Sequence, residues 1–172
     1  TLCAALAYTM GIDAPACAAE KNETLTAYVD EALHGKKADR IFMYNPDAVA
    51  QWIFEKYPQF FIQALKHTEI QIPFATVMPS VTPVCFGTMY TGAQPAVHGI
   101  RKYEKPIITI DTLFDALIRA GKKPAIVSTA GDSLSMIFLE REMDYFIYPS
   151  VEEVHQKALE LIASDQYDFI LI

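Results

Sequence analysis

Thr82-Pro83 is the point in this chain where residue type and position first suggest chemistry. It lies within Met78–Ile100, MPSVTPVCFGTMYTGAQPAVHGI. Proline suits the first turn of a helix, where its missing N–H leaves no bond unmade, and threonine is a good N-cap. The pair predicts a helix over Pro83–Thr91, with Thr82 at the N-cap and Gly92 closing it. A hydroxyl there faces unpaired amides and the positive end of the helix dipole, which favour an anion such as phosphate. Threonine is a weak nucleophile at neutral pH. A bound divalent ion would help deprotonate it, and a second would hold the leaving oxygen. Thr-Pro alone is also an ordinary helix start, so the surrounding pattern has to decide.

Nine positions after Thr82 comes Thr91-Gly92, then Pro95, then His98-Gly99-Ile100. This spacing resembles the alkaline phosphatase superfamily, most closely its type I phosphodiesterase and nucleotide pyrophosphatase branch. There a nucleophilic Thr or Ser opens a helix ending in Thr-Gly, followed by Pro-x-x-His-Gly. MYNPD, VHGIRKYEKP and IDTLFDALIRAGKKPAIV extend the resemblance from about Ala38 to Ile172.

The resemblance implies a metal-dependent phosphoester hydrolase acting through a phospho-threonine at Thr82. It implies two divalent ions, zinc by expectation, with manganese or magnesium as alternatives. Thr82 would also be a metal ligand. Asp47 would be a second ligand from the end of the first strand, with Asn45 as its rival. Ser80 is a competing hydroxyl, but it lies two residues too far from Thr91-Gly92. Cys85 falls where many phosphodiesterases carry a phosphate-binding Asn, so it is the candidate substrate-binding position, although a thiol is a weak donor. His98 is expected in a structural turn. Arg101, Lys102 and Lys105 form a solvated loop, and Asp132 a turn. A non-catalytic member that binds a phosphorylated ligand is the alternative reading.

These residues need a scaffold. The chain has 172 residues, 52% hydrophobic and 20% charged, enough for one domain with a real core. Continuously apolar runs at Arg40–Tyr44, Pro124–Ser128, Tyr145–Tyr148 and Tyr167–Ile172 alternate with helical patterns. That is the signature of an α/β fold, a mostly parallel sheet sandwiched by helices. Helices are predicted over Leu2–Met10, Asn22–Leu33, Ala48–Lys56 (capped by Asp47), Phe60–His67, Thr112–Ala120 (capped by Asp111) and Val151–Ala163 (capped by Ser150). Residues 1–37 form N-terminal helices and 38–172 the α/β core. Both ends interrupt apolar runs, so the expectation is the N-terminal half of a catalytic domain, lacking later metal ligands and inactive as it stands.

A net charge of −7 without a basic block argues against a nucleic-acid polymer as partner. No run reaches the roughly 18–20 apolar residues of a membrane span. The expected partner is a phosphorylated small molecule. Three cysteines without CxxC spacing read as free thiols, and hence as a cytoplasmic protein. The Gly-rich fingerprints of dinucleotide and P-loop sites are missing.

Overall fold

Four parallel strands carry the larger of two compact units in the computed structural model, which describes residues 1–172. The strands are β1 (Ile41–Met43), β2 (Pro124–Thr129), β3 (Asp144–Tyr148) and β4 (Phe169–Leu171), in the order β1-β4-β2-β3. β2 and β4 are the inner pair, and their PAIVST and FIL sequences are almost wholly buried. Proline opens β2, where no ladder bond is lost. The apolar run of β1 suits a buried strand, but β1 is an edge strand with Phe42 41% exposed. The apolar run Arg40–Tyr44 specifies a strand, but not whether that strand has one neighbour or two.

Alternate residues of each inner strand enter different clusters, as the two-residue period of a strand requires. Ile126, Phe169 and Leu171 face one core; Ala125, Val127 and Ile170 face the other. The first core is covered by α1 (Leu2–Thr9), α5 (Thr82–Thr91), α7 (Leu113–Arg119) and α8 (Ser133–Ile137). The second is covered by α9 (Val151–Ser164), which buries Val154, Ala158 and Leu161. The protein is thus α/β, with a parallel sheet flanked by helices.

The larger unit comprises residues 1–44 and 76–172. It includes α2 (Glu23–Ala32), capped by Asn22, and α6 (Pro95–His98), a short helix inside a stretch expected to be loop. Ile107–Ile110 forms no strand, although the Ile108 N–H donates to Ile137 O at 2.9 Å. The smaller unit, Asn45–Ala75, holds α3 (Gln51–Lys56), a 3-10 turn at Pro58–Phe60 and α4 (Ile62–Leu65). The single helix expected over Phe60–His67 is therefore two short pieces. Phe61, at φ −107, separates them.

An aromatic cluster ties α5 to the sheet. Phe114 lies 5.0 Å from Phe138, 5.7 Å from Tyr90 and 6.1 Å from Phe169, ring centre to ring centre. Tyr90 meets Phe138 edge-on at 5.6 Å. Such pairs add about 0.5–1.5 kcal/mol each beyond the area they bury. The C-terminal end of the Thr82 helix is consequently fixed from α7 and β4.

Candidate functional site

α5 begins one residue earlier than its sequence suggests. Val81 is the N-cap, extended at φ −115° and ψ 148°, and its carbonyl accepts the Cys85 N–H at 3.0 Å. Thr82 is therefore the first helical residue rather than the cap. Pro83 fits at the second position because first-turn amides have no helical partner to lose. No side chain caps this helix; Pro83 has no N–H and the Cys85 N–H is bonded to Val81 O, so the first-turn amides left without a helical partner are those of Thr82 and Val84.

Thr82 and Cys85 are both half-buried. Their spacing, i and i+3, sets them on one face of α5. Burial pushes the Cys85 thiol up from its ordinary value. It is a neutral thiol, suited to lie against an apolar part of a ligand and poorly suited to replace an amide donor or act as a thiolate.

The turns that follow depend on two glycines. Gly92 closes α5 at φ +70°, and a Cβ there would lie 2.6 Å from the Ala18 Cβ. The Gly92 carbonyl accepts the Ala19 N–H at 2.9 Å. Thr91 donates its hydroxyl to Gly87 O at 2.7 Å and accepts the Ala93 N–H at 3.1 Å. Gly99 ends α6 at φ +90°.

His98 is 5% exposed. Its Nδ1 accepts the Ile100 N–H at 3.3 Å. The proton of the neutral ring is then on Nε2, which donates to Thr88 Oγ1 at 3.0 Å. Burial lowers its pKa, partly opposed by the ring's interaction with His98's own backbone. His98 is a hydrogen-bonded residue of the turn, as the sequence predicted.

Asp47 lies in the smaller unit, exposed in a turn. It does not cap the following helix: α3 starts after Ala50 and has no side-chain cap. The next residue, Ala48, is held at φ +59°, a conformation glycine adopts without steric cost. The resembled family has Asp-Gly at the strand end. The backbone after Asp47 meets that requirement, whereas Asn45 precedes Pro46, whose ring fixes a negative φ.

The nearby cations are engaged locally. Arg101 donates to Ala96 O at 3.2 Å, Lys105 to Gly131 O at 2.6 Å, and Lys102 pairs with Glu104 at 3.4 Å. Asp132 caps α8 through the Ser135 N–H at 2.7 Å and accepts bonds from Ser128 and Thr129, the turn role expected of it. The chain gathers no group of three or more His, Cys, Asp or Glu side chains able to hold a metal ion. The residues present do not make up the ligand sets of two divalent ions.

Sequence reasoning missed the polar network around Arg141. Asp111, expected to cap α7, instead binds Arg119 at 2.6 and 2.9 Å and the Ala16 N–H at 2.9 Å. Thr112 is the cap, in a reciprocal box with Asp115. The signal was present as Thr112-x-x-Asp115, a capping-box spacing. Nothing local to Arg141 signals its burial. Its side chain lines an open cleft of about 470 Å³ with Ile107, Asp111, Asp115 and Arg119.

Comparison of the chain with protein-family models, with curated proteins and with solved structures returns no match.

Proposed function

We propose that this chain carries the nucleophile segment of a metal-dependent phosphoester hydrolase related to the type I phosphodiesterases of the alkaline phosphatase superfamily. The observation that carries the reading is the folded form of the 82–100 segment. A helix opens at Thr82 without a side-chain cap, ends in left-handed Gly92, and returns through α6 to left-handed Gly99.

In this reading the Thr82 hydroxyl oxygen attacks phosphorus and the substrate alcohol departs with the proton. The phospho-threonine then takes up water, releases phosphate and restores the hydroxyl. The uncapped amides of α5 orient the anionic oxygens. Cys85, on the same face of α5, is the proposed substrate-binding position. Divalent ions, zinc foremost, would supply Lewis acidity and nucleophile activation when bound; Thr82 is a proposed oxygen ligand, and the chain does not complete the ligand set of either ion. The substrate is a phosphorylated small molecule. Three free thiols favour a reducing, cytoplasmic setting; no helix is long and apolar enough to cross a membrane.

A second reading, a binding protein for a phosphorylated ligand without turnover, is favoured by Cys85 in place of an amide donor. One experiment separates the two. Because residues 1–172 by themselves are expected to be inactive, the full-length protein is assayed with p-nitrophenyl phosphate and bis(p-nitrophenyl) phosphate in zinc, manganese and magnesium, with acid quench and mass analysis of peptide 82–100. The hydrolase reading expects turnover and a phosphate adduct on Thr82, both lost in Thr82→Ala. Phosphate binding without turnover supports the second reading. Turnover unchanged in Thr82→Ala overturns the assignment of Thr82.

A further inference from the structure

From Thr82 to Ile100 the chain contains no Asp, Glu, Lys or Arg. His98 is the side chain of that stretch whose ordinary titration lies near neutral pH, and it is buried. Its ring fills the space left by the missing side chain of Gly87. A Cβ at Gly87 would lie 2.7 Å from Cε1 and 2.8 Å from Nδ1. Both ring nitrogens are bonded, Nδ1 as acceptor from Ile100 and Nε2 to Thr88. The ring therefore closes the 98–100 turn onto α5 from both sides.

That closure requires the neutral ring. A proton added at Nδ1 converts the acceptor into a donor, which faces the Ile100 N–H. The imidazolium would also find no counter-ion. α6 packs on α5, whose titratable side chains are Cys85 and Tyr90, neither of them a carboxylate. The nearest cation in sequence, Arg101, is bonded to Ala96 O on α6 itself and adds positive charge.

We propose that His98 is an acid-sensitive latch: taking one proton from solvent onto Nδ1, it releases the Ile100 N–H and frees the 98–100 turn from the helix that opens at Thr82. The released ring titrates near the ordinary histidine value of about 6.5, and the latched ring below it. Closure is then complete above that pH. It weakens as the pH falls toward the latched value, and below that value it changes no further.

The test uses the full chain with 15N-labelled histidine. At neutral pH the nitrogen shifts of His98 are expected to show the Nε2–H tautomer. The opening equilibrium of the Ile100 amide, from hydrogen exchange corrected for intrinsic rate, is expected to rise up to about tenfold per pH unit below 6.5. His98→Asn, whose side-chain oxygen still accepts from Ile100 but binds no proton, is expected to remove that dependence. An Nδ1–H tautomer, a pH-independent Ile100 opening, or an unchanged dependence in His98→Asn would overturn the latch. If His98→Asn does not fold, the tautomer and the exchange profile of the unsubstituted chain decide.

Discussion

The Arg141 guanidinium lies 3.0 Å from the Asp115 carboxylate, and this pair fastens the first turn of α7 to two separate segments. The same Nε approaches Thr112 Oγ1 at 3.1 Å, while the two terminal nitrogens reach Leu139 O at 3.0 Å and Ile108 O at 2.8 Å. The arginine side chain is 7% exposed. Removing a buried cation strands its acceptors. Arg141→Met is expected to cost about 2–4 kcal/mol, toward the lower end because Asp115 retains Thr112 and some water. Urea unfolding measures it; a loss under about 1 kcal/mol would show that the network is incidental.

Thr82 and Thr112 stand at the starts of α5 and α7, two helices of the same core, yet only Thr112 caps. Thr112→Ala breaks a reciprocal box and is expected to cost about 1–2 kcal/mol. Thr82→Ala removes a hydroxyl that caps nothing and is expected to change stability by less than about 0.5 kcal/mol. The comparison of the two unfolding curves makes the activity test of Thr82 interpretable. A Thr82→Ala protein losing as much stability as Thr112→Ala would mean that the hydroxyl is structural.

Asp111 is expected to give the fold an acid limb. Burial alone would raise its pKa, but the Arg119 bonds and the Ala16 N–H outweigh burial and hold it below the ordinary value. A depressed carboxylate contributes stability that is present above its unfolded value of about 3.9 and lost as pH falls through the folded one. Urea unfolding from pH 6 to 2.5 should therefore lose stability more steeply in the unsubstituted chain than in Asp111→Asn. Equal slopes would exclude Asp111 as a contributor. Arg119 is more than half exposed, so the difference should be modest.

The three cysteines should separate by reactivity. Cys17 is exposed, Cys85 half-buried and Cys3 fully buried, with its thiol pushed up to about 12, chiefly by burial. Ellman's reagent at pH 8 is expected to titrate Cys17 first, Cys85 slowly, and Cys3 only after denaturation. Prompt reaction of three thiols in the folded protein would contradict the packing of α1 into the core.

Much of the scaffold was legible because its signals are local. The buried runs of β2 and β4, the Ser150 cap of α9 and the Gly92 stop of α5 each follow from residues within about four positions of one another. So did the turn roles of His98 and Asp132. Small displacements also had local causes. Thr82 moved from cap to first helical residue because the Val81 carbonyl, not the Thr82 hydroxyl, closes the first turn.

By itself, then, the sequence determined the four strands, most of the helices and an α/β fold with a parallel sheet, but not α6 or the break at Phe61. Those outcomes are set by backbone propensity, side-chain period and glycine's freedom at positive φ. Only the tertiary structure decided that β1 is an edge, that Gly87 leaves room for the His98 ring, and that Arg141 joins an aspartate 26 residues away. Each of these depends on which surfaces meet after the chain has closed on itself. Neither the period of an apolar run nor the identity of a single buried residue records that.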